Sequence, residues 1–279
     1  MHCRWCMGVS VLALGIGLAG AVSDARSQII DLSKYPNMSG GWARSEVYQW
    51  ARGEKPPLTP EYQAVWEANI ADRKTGGNGN DTMYRCFPPG MPRVMHAYSP
   101  MEIVITPGTT YILIDHIHDD RRIFTDGRGW PEEEVEPTLA GYSIGRWVDA
   151  GGTGKFDTLE VETRLLKGPR TLDGVLPTHK DNQTIVKERI YLDKANPDML
   201  HDEITLIDHA YTRPWTVTKN YPRYPNPGPT GWPEEVCAEA QVHVTVGKED
   251  YFVSADGYLM PVRKNQAPPD LRYFKQTGK

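Results

Sequence analysis

From residue 101 the chain is a train of short β-rich segments cut by turn signals, and nothing else in it limits the fold as much. Segments 102–106, 110–116, 121–125, 142–148, 158–165, 184–192, 200–208 and 215–221 are rich in Val, Ile, Thr and aromatic residues. Pro107-Gly108, Asp126-Gly127, Gly151-Gly152, Lys167-Gly168-Pro169, Asn196-Pro197 and Arg213-Pro214 punctuate them, as turns punctuate strands. Several segments alternate. Leu159 and Val161 take one face and Glu160 and Glu162 the other, the period-2 pattern of a half-buried strand. Ile204 and Leu206 likewise share a face, and His201, Glu203 and Thr205 share the opposite one. Adjacent antiparallel strands must close on themselves or cover their edges. The expected fold is therefore all-β: an antiparallel up-and-down barrel of about eight strands, lipocalin-like, with a β-sandwich as the alternative. No βαβ pattern, G-x-G-x-x-G or P-loop is present, so nucleotide-binding α/β folds are excluded.

The flanks read differently. Arg4 precedes an uncharged apolar run over 5–22, and Ala21-Val22-Ser23 and Ala25-Arg26-Ser27 both fit a small-x-small cleavage site. This predicts a signal peptide over 1–27 and a periplasmic or secreted protein; the alternative is an N-terminal membrane anchor. Residues 28–100 form an irregular extension. Its one helix is expected over 62–71, with Thr59 as N-cap, Pro60 at the first helical position, and Tyr62, Val65, Trp66 and Asn69 on one face. The barrel core is expected over 101–222, and 223–279 as a second extension with strands near 242–246 and 251–254. Cys3 and Cys6 would leave with the signal, which keeps Cys86 and Cys237. In an oxidising compartment such a pair predicts a disulfide, with two buried thiols or a single nucleophile as alternatives. The net charge of −5 argues against a nucleic-acid partner. No stable membrane insertion is expected after cleavage, and the oligomeric state stays open.

Three polar clusters carry the candidate chemistry. His116 and His118 stand two apart on an expected strand, so they share a face and could give two imidazoles to a metal. A third ligand could come from His179, His201, Asp202, Glu203 or His209; otherwise the pair lies at a strand end in solvent. Asp126-Gly127-Arg128-Gly129-Trp130 offers a fork-shaped donor beside a stacking ring, or simply a structural Asp–Arg pair. His201, Glu203 and Thr205, with His179, Glu188-Arg189 and Asp208-His209, could set an imidazole beside a carboxylate for acid–base work if their face lines the barrel. Otherwise they make cross-strand salt bridges outside it. Gly141-Tyr142-Ser143-Ile144-Gly145 matches G-x-S-x-G by letter, but it sits in an expected strand and lacks the strand–elbow–helix context.

Arg121 to Arg128 (RRIFTDGR), Gly141 to Trp147 (GYSIGRW) and Asp157 to Thr163 (DTLEVET) resemble a large family of secreted bacterial proteins that has no settled activity. The likeness continues through Glu188-Arg189, 205–208, 213–217, Cys237 and 268–271. It marks Asp126, Arg128, Trp147, His179, Glu188 and Arg189 as pattern positions and leaves His116 and His118 outside the pattern. The likeness to calycins is one of architecture, which carries no activity.

Together these features predict a β-barrel that binds a small, partly aromatic or apolar molecule. It would transform that molecule by acid–base chemistry of the lyase, isomerase, hydratase or hydrolase type, with no cofactor. His116 or His179 would move a proton, with His118 and His201 as further candidates. Asp126 or Glu188 would orient the imidazole, and Arg128 or Arg189 would stabilise oxyanion charge. Trp130, Tyr142, Trp147, Arg189 and Trp215 are the expected ligand contacts. The alternatives are a non-catalytic carrier and a metal-dependent hydrolase using His116 and His118.

Overall fold

Period-2 alternation across successive strands gives one large, nearly closed, barrel-like sheet. The computed structural model describes residues 30–43, 50–51, 53–97, 100–114, 120–224, 243–254 and 257–270. The strands are β1 (Gly41–Trp42), β2 (Met101–Thr106), β3 (Thr109–Ile114), β4 (Arg121–Phe124), β5 (Tyr142–Val148), β6 (Thr158–Arg164), β7 (Ile185–Leu192), β8 (Met199–Ile207) and β9 (Trp215–Pro222), and they lie side by side in chain order.

Two details correct the expected topology. The sheet has nine strands, because the two-residue β1 joins it from the segment read as irregular. β4 and β5 also pair in parallel, with Ile123 opposite Ser143 and Phe124 opposite Ile144, whereas every other pair in the sheet is antiparallel. The chain between Phe124 and Tyr142 is the crossover that a parallel step requires. β1 also works at the seam. One edge pairs with β2. On the other, Ala43 N donates to Pro222 O and Tyr224 N to Gly41 O, both at 2.8 Å.

Parity sets the inner face. Met101 and Ile103 of β2, Ile112 and Ile114 of β3, Leu159 and Val161 of β6, Val186 and Ile190 of β7, Leu200, Ile204 and Leu206 of β8, and Trp215, Val217 and Tyr221 of β9 are all buried. Trp42, Trp50, Met91, Val94 and Met95 join the same core from the N-terminal segment. The short helix α2 (Val94–Ala97) is anchored there by the Tyr221 hydroxyl, which donates to Met95 O.

The main helix α1 runs Pro60–Lys74 and begins as expected, with the Thr59 side chain accepting from Tyr62 N and Pro60 in the first turn. Tyr62 and Asn69 are its buried residues, while Val65 is exposed. A separate three-stranded antiparallel sheet follows the barrel: β10 (His243–Val246), β11 (Glu249–Val253) and β12 (Leu259–Pro261). Arg263 links this region to α1 through Asp72 at 2.8 Å. No helix among the described residues is long and apolar enough to cross a membrane.

Candidate functional site

Charge has been placed where the alternation calls for apolar side chains. Arg121 shares the face of Ile123 in β4, Glu188 that of Val186 and Ile190 in β7, Asp202 that of Leu200 and Ile204 in β8, and Lys219 that of Val217 and Tyr221 in β9. All four are buried. Arg121 reaches Glu188 across the two intervening strands and holds it bidentately, at 2.9 Å to Oε1 and 2.7 Å to Oε2. Such fork-to-carboxylate pairs are among the strongest polar contacts. Asp202 lies directly opposite Lys219 in the register. The Lys219 ammonium turns to the Trp50 carbonyl, at 2.6 Å, and stands 5.5 Å from the Trp50 ring centre.

Asp202 is the unusual member. It is fully buried, no cation or backbone N–H reaches either carboxyl oxygen in hydrogen-bonding geometry, and the Glu188 carboxyl lies close enough to share its proton. Burial first, and the nearby Glu188 carboxylate second, push its carboxyl well above the ordinary range; Arg121 and Lys219 pull the other way. An ionised carboxylate without partners is too costly to keep in an apolar interior, so the neutral acid is favoured. The interior therefore holds Glu188 clamped by an arginine and, beside it, a carboxyl that burial makes reluctant to give up its proton.

The remaining sequence candidates divide among other places. Asp126 and Arg128 form an exposed pair at 2.6 Å, and Arg128 holds the Asp126 carboxyl down at about 2. The Arg128 guanidinium lies 3.8 Å over the Phe124 ring centre and 3.4 Å from the Tyr142 hydroxyl. Trp130 sits 6.2 Å from Tyr142 under the Arg164 guanidinium. Arg189 is on the outer face and pairs with Glu203 at 2.9 Å. Together with Arg146, Glu160, Glu162 and Lys187, these two line a surface groove of ≈ 610 Å³. Each of these charges already has an oppositely charged neighbour across the strands, which is how a solvated antiparallel face satisfies itself.

His201 corrects the idea that the His201, Glu203 and Thr205 face lines the barrel. It lies on the outer face, with its ring nitrogens 2.7 Å from Asn220 Oδ1 and 3.2 Å from Asp193 Oδ2. Asp202, the residue of opposite parity, points inward. Trp147 is half-buried and donates from its indole to Thr110 at 3.0 Å. Trp215 belongs to the core, with its indole nitrogen 3.1 Å from Glu54. Ser143 is buried in mid-strand, 2.8 Å from the Thr163 hydroxyl, with no elbow. His116 and His118 lie outside the described residues.

A second cluster sits beyond the end of β8. His179, Asp181 and His209 bring three potential ligand atoms within 4.8 Å of one another. His179 Nδ1 is 3.0 Å from Asp181 Oδ1, and His209 Nδ1 is 2.5 Å from Asp181 Oδ2. His179 and His209 stand out as candidates from sequence; Asp181 does not, because it lies in a loop with no periodic signal. Arg121 and Lys219 were also missed, although parity within β4 and β9 would have marked them as charges on an apolar face.

No family model matches the chain, and neither the curated proteins nor the solved structures offer a match.

Proposed function

We propose that this is a periplasmic or secreted β-barrel that binds a small, partly aromatic or apolar molecule and transforms it by acid–base chemistry of the lyase, isomerase or hydratase type. One observation carries the proposal: Asp202, fully buried and with no cation or N–H bonded to either oxygen, stands beside Glu188, which is clamped by Arg121. Two neighbouring carboxyls in unlike surroundings, one paired with a guanidinium and one without a cationic hydrogen-bond partner, suit a division of acid and base roles. Asp202 delivers a proton, and Glu188 is held in position by its arginine. Lys219 and Arg121 supply positive charge to a developing oxyanion. These roles move the chemistry from the histidines expected in the barrel to the carboxyl pair, in which Glu188 is a sequence candidate for orienting an imidazole and Asp202 one for a metal ligand. Arg128, Trp130 and Tyr142 then serve the outer surface rather than the reacting centre.

The secreted location and membership of the bacterial family rest on the leader-like 1–27 and the quoted motifs. The Cys86–Cys237 bridge belongs to the same proposal. Its support is that Cys86 is bonded as half of a cystine, while the other three cysteines all lie outside the described residues.

Hydrogen exchange tests the chemistry whatever the natural substrate. Small carbonyl and aromatic compounds are screened for binding by ligand-observed NMR, and the binders are then incubated in D2O. The wild type is expected to speed deuterium uptake or turnover of at least one binder, and Asp202→Asn to lose about 100-fold or more. Binders that return unchanged make the protein a carrier. Turnover that survives Asp202→Asn removes the pair from the mechanism.

A further inference from the structure

We propose that His179, Asp181 and His209 form a binding site for a first-row divalent metal of the zinc type, separate from the buried carboxyl pair. Two imidazoles and one carboxylate form the donor set that such ions select. The three side chains come from two places in the chain: the loop ahead of β7, and the turn after β8. The fold therefore assembles the set; local sequence does not.

The frame around the ligands is fixed. His179 N donates to Asp208 Oδ1 at 3.0 Å, and the same Asp208 accepts from the Thr184 hydroxyl at 2.6 Å and from Ala210 N at 2.8 Å. One buried carboxylate thus ties both ligand-bearing turns together. The His179 ring packs against Tyr62 of α1 at 5.2 Å and meets the His209 ring edge-on at 5.6 Å. These contacts fix the backbone of both turns and the plane of the His179 ring, and so hold the ligand set in place.

The ligand atoms already stand close to one another. His179 Nδ1 accepts from Asp181 N at 3.2 Å, and Asp181 Oδ1 stands 3.0 Å from the same nitrogen. An ion seated among the three groups would take up the imidazole lone pairs and the carboxylate charge together, in place of these contacts. With metal bonds of about 2.0–2.1 Å, tetrahedral ligands stand roughly 3.4 Å apart. The observed 2.5 and 3.0 Å therefore have to open by less than about 1 Å. His209, with 68% of its side chain exposed, is free to make that adjustment. Its open side leaves room for water or an anionic group of a ligand to complete the coordination.

The test uses the purified full chain, stripped with a chelator and titrated with Co²⁺ and then Zn²⁺. The expected result is one saturable Co²⁺ equivalent with an intense tetrahedral visible band, displaced by Zn²⁺. His209→Ala and Asp181→Asn should each weaken Co²⁺ binding at least about tenfold. His201→Ala, at a distant pair of polar partners, should leave it unchanged. Because His209 is exposed, His209→Ala is expected to keep the wild-type circular dichroism and unfolding midpoint. No saturable Co²⁺ binding overturns the proposal. So does binding that persists in both His209→Ala and Asp181→Asn, as it would if His116 and His118 held the ion. Failure here leaves the D2O test of the carboxyl pair untouched, because the two sites share no residue.

Discussion

Asp202 weakens the fold at every pH at which it must give up its proton. Its native-state carboxyl is raised by burial and by Glu188, while in the unfolded chain it returns to about 3.9. Between those two values the native state holds a proton that the unfolded state has lost. Stability is therefore full below the unfolded value and falls as pH rises through the native one. Asp202→Asn keeps the shape and removes the charge. Its urea midpoint should decline less than the wild type's between about pH 4 and pH 9, so that the variant is the more stable protein at the alkaline end. Parallel profiles would show that Asp202 ionises freely and is not the proton donor. Arg121 gives the opposite lesson. Glu188 is wholly buried and accepts two hydrogen bonds from this one guanidinium. Arg121→Met leaves that carboxylate uncompensated and should cost about 3–5 kcal/mol by chemical denaturation. A loss under about 1 kcal/mol would mean that the pair is already solvated.

The parallel step from β4 to β5 depends on a residue with no side chain. A Cβ at Gly145 would meet Ile123 Cγ2 at 2.7 Å, Glu160 O at 3.2 Å and Leu159 Cδ1 at 3.3 Å. Gly145→Ala should therefore destabilise by about 1–3 kcal/mol, as overpacking does, with a melting point lower by roughly 2–4 °C per kcal/mol. Gly129, whose added Cβ would meet nothing within 4 Å, is the matched control, and Gly129→Ala should leave the midpoint in place. Equal effects at the two positions would deny Gly145 its packing role. Elements of this kind were only partly legible. All eight strands from β2 to β9 announced themselves, because alternation and turn residues are local signals. β1 did not, since two residues carry no period and its pairing with β2 and with Pro222 and Tyr224 is long-range. The parallel pairing was hidden for the same reason: Asp126-Gly127 reads as a hairpin turn, and only tertiary structure reveals the crossover. Parity did hold the key to the interior. Leu200 and Asp202 share a face with Ile204 and Leu206, whereas the histidine and glutamate that suggest acid–base chemistry, His201 and Glu203, lie on the face that the sheet turns outward.

At the scale of the molecule, the barrel-like sheet is brought nearly to closure by its own N-terminal segment, and the proposed cystine would add a tie from that segment to the region after β9. Cys86 ends the short helical turn at 82–85 with a left-handed backbone, φ 58°. Its neighbours Thr82 and Phe87 share an apolar pocket with Leu139 and Pro169, so this stretch is already seated against the crossover between β4 and β5. A bridge to Cys237 closes a loop of 237 − 86 = 151 positions. In the chain-entropy account a loop of that length restricts the unfolded state by about 4–5 kcal/mol. A folded domain is in net only about 5–15 kcal/mol stable, so the bridge would supply a large share. Unfolding in the presence of reductant should therefore come at a clearly lower urea midpoint, and the Cys86→Ala, Cys237→Ala double variant should match the reduced wild type. Peptide mapping of protein exported through the periplasm should return Cys86 joined to Cys237. Cys86 joined instead to Cys3 or Cys6 would show a leader that stays on the chain, and would overturn both the bridge and the cleavage on which the secreted location depends.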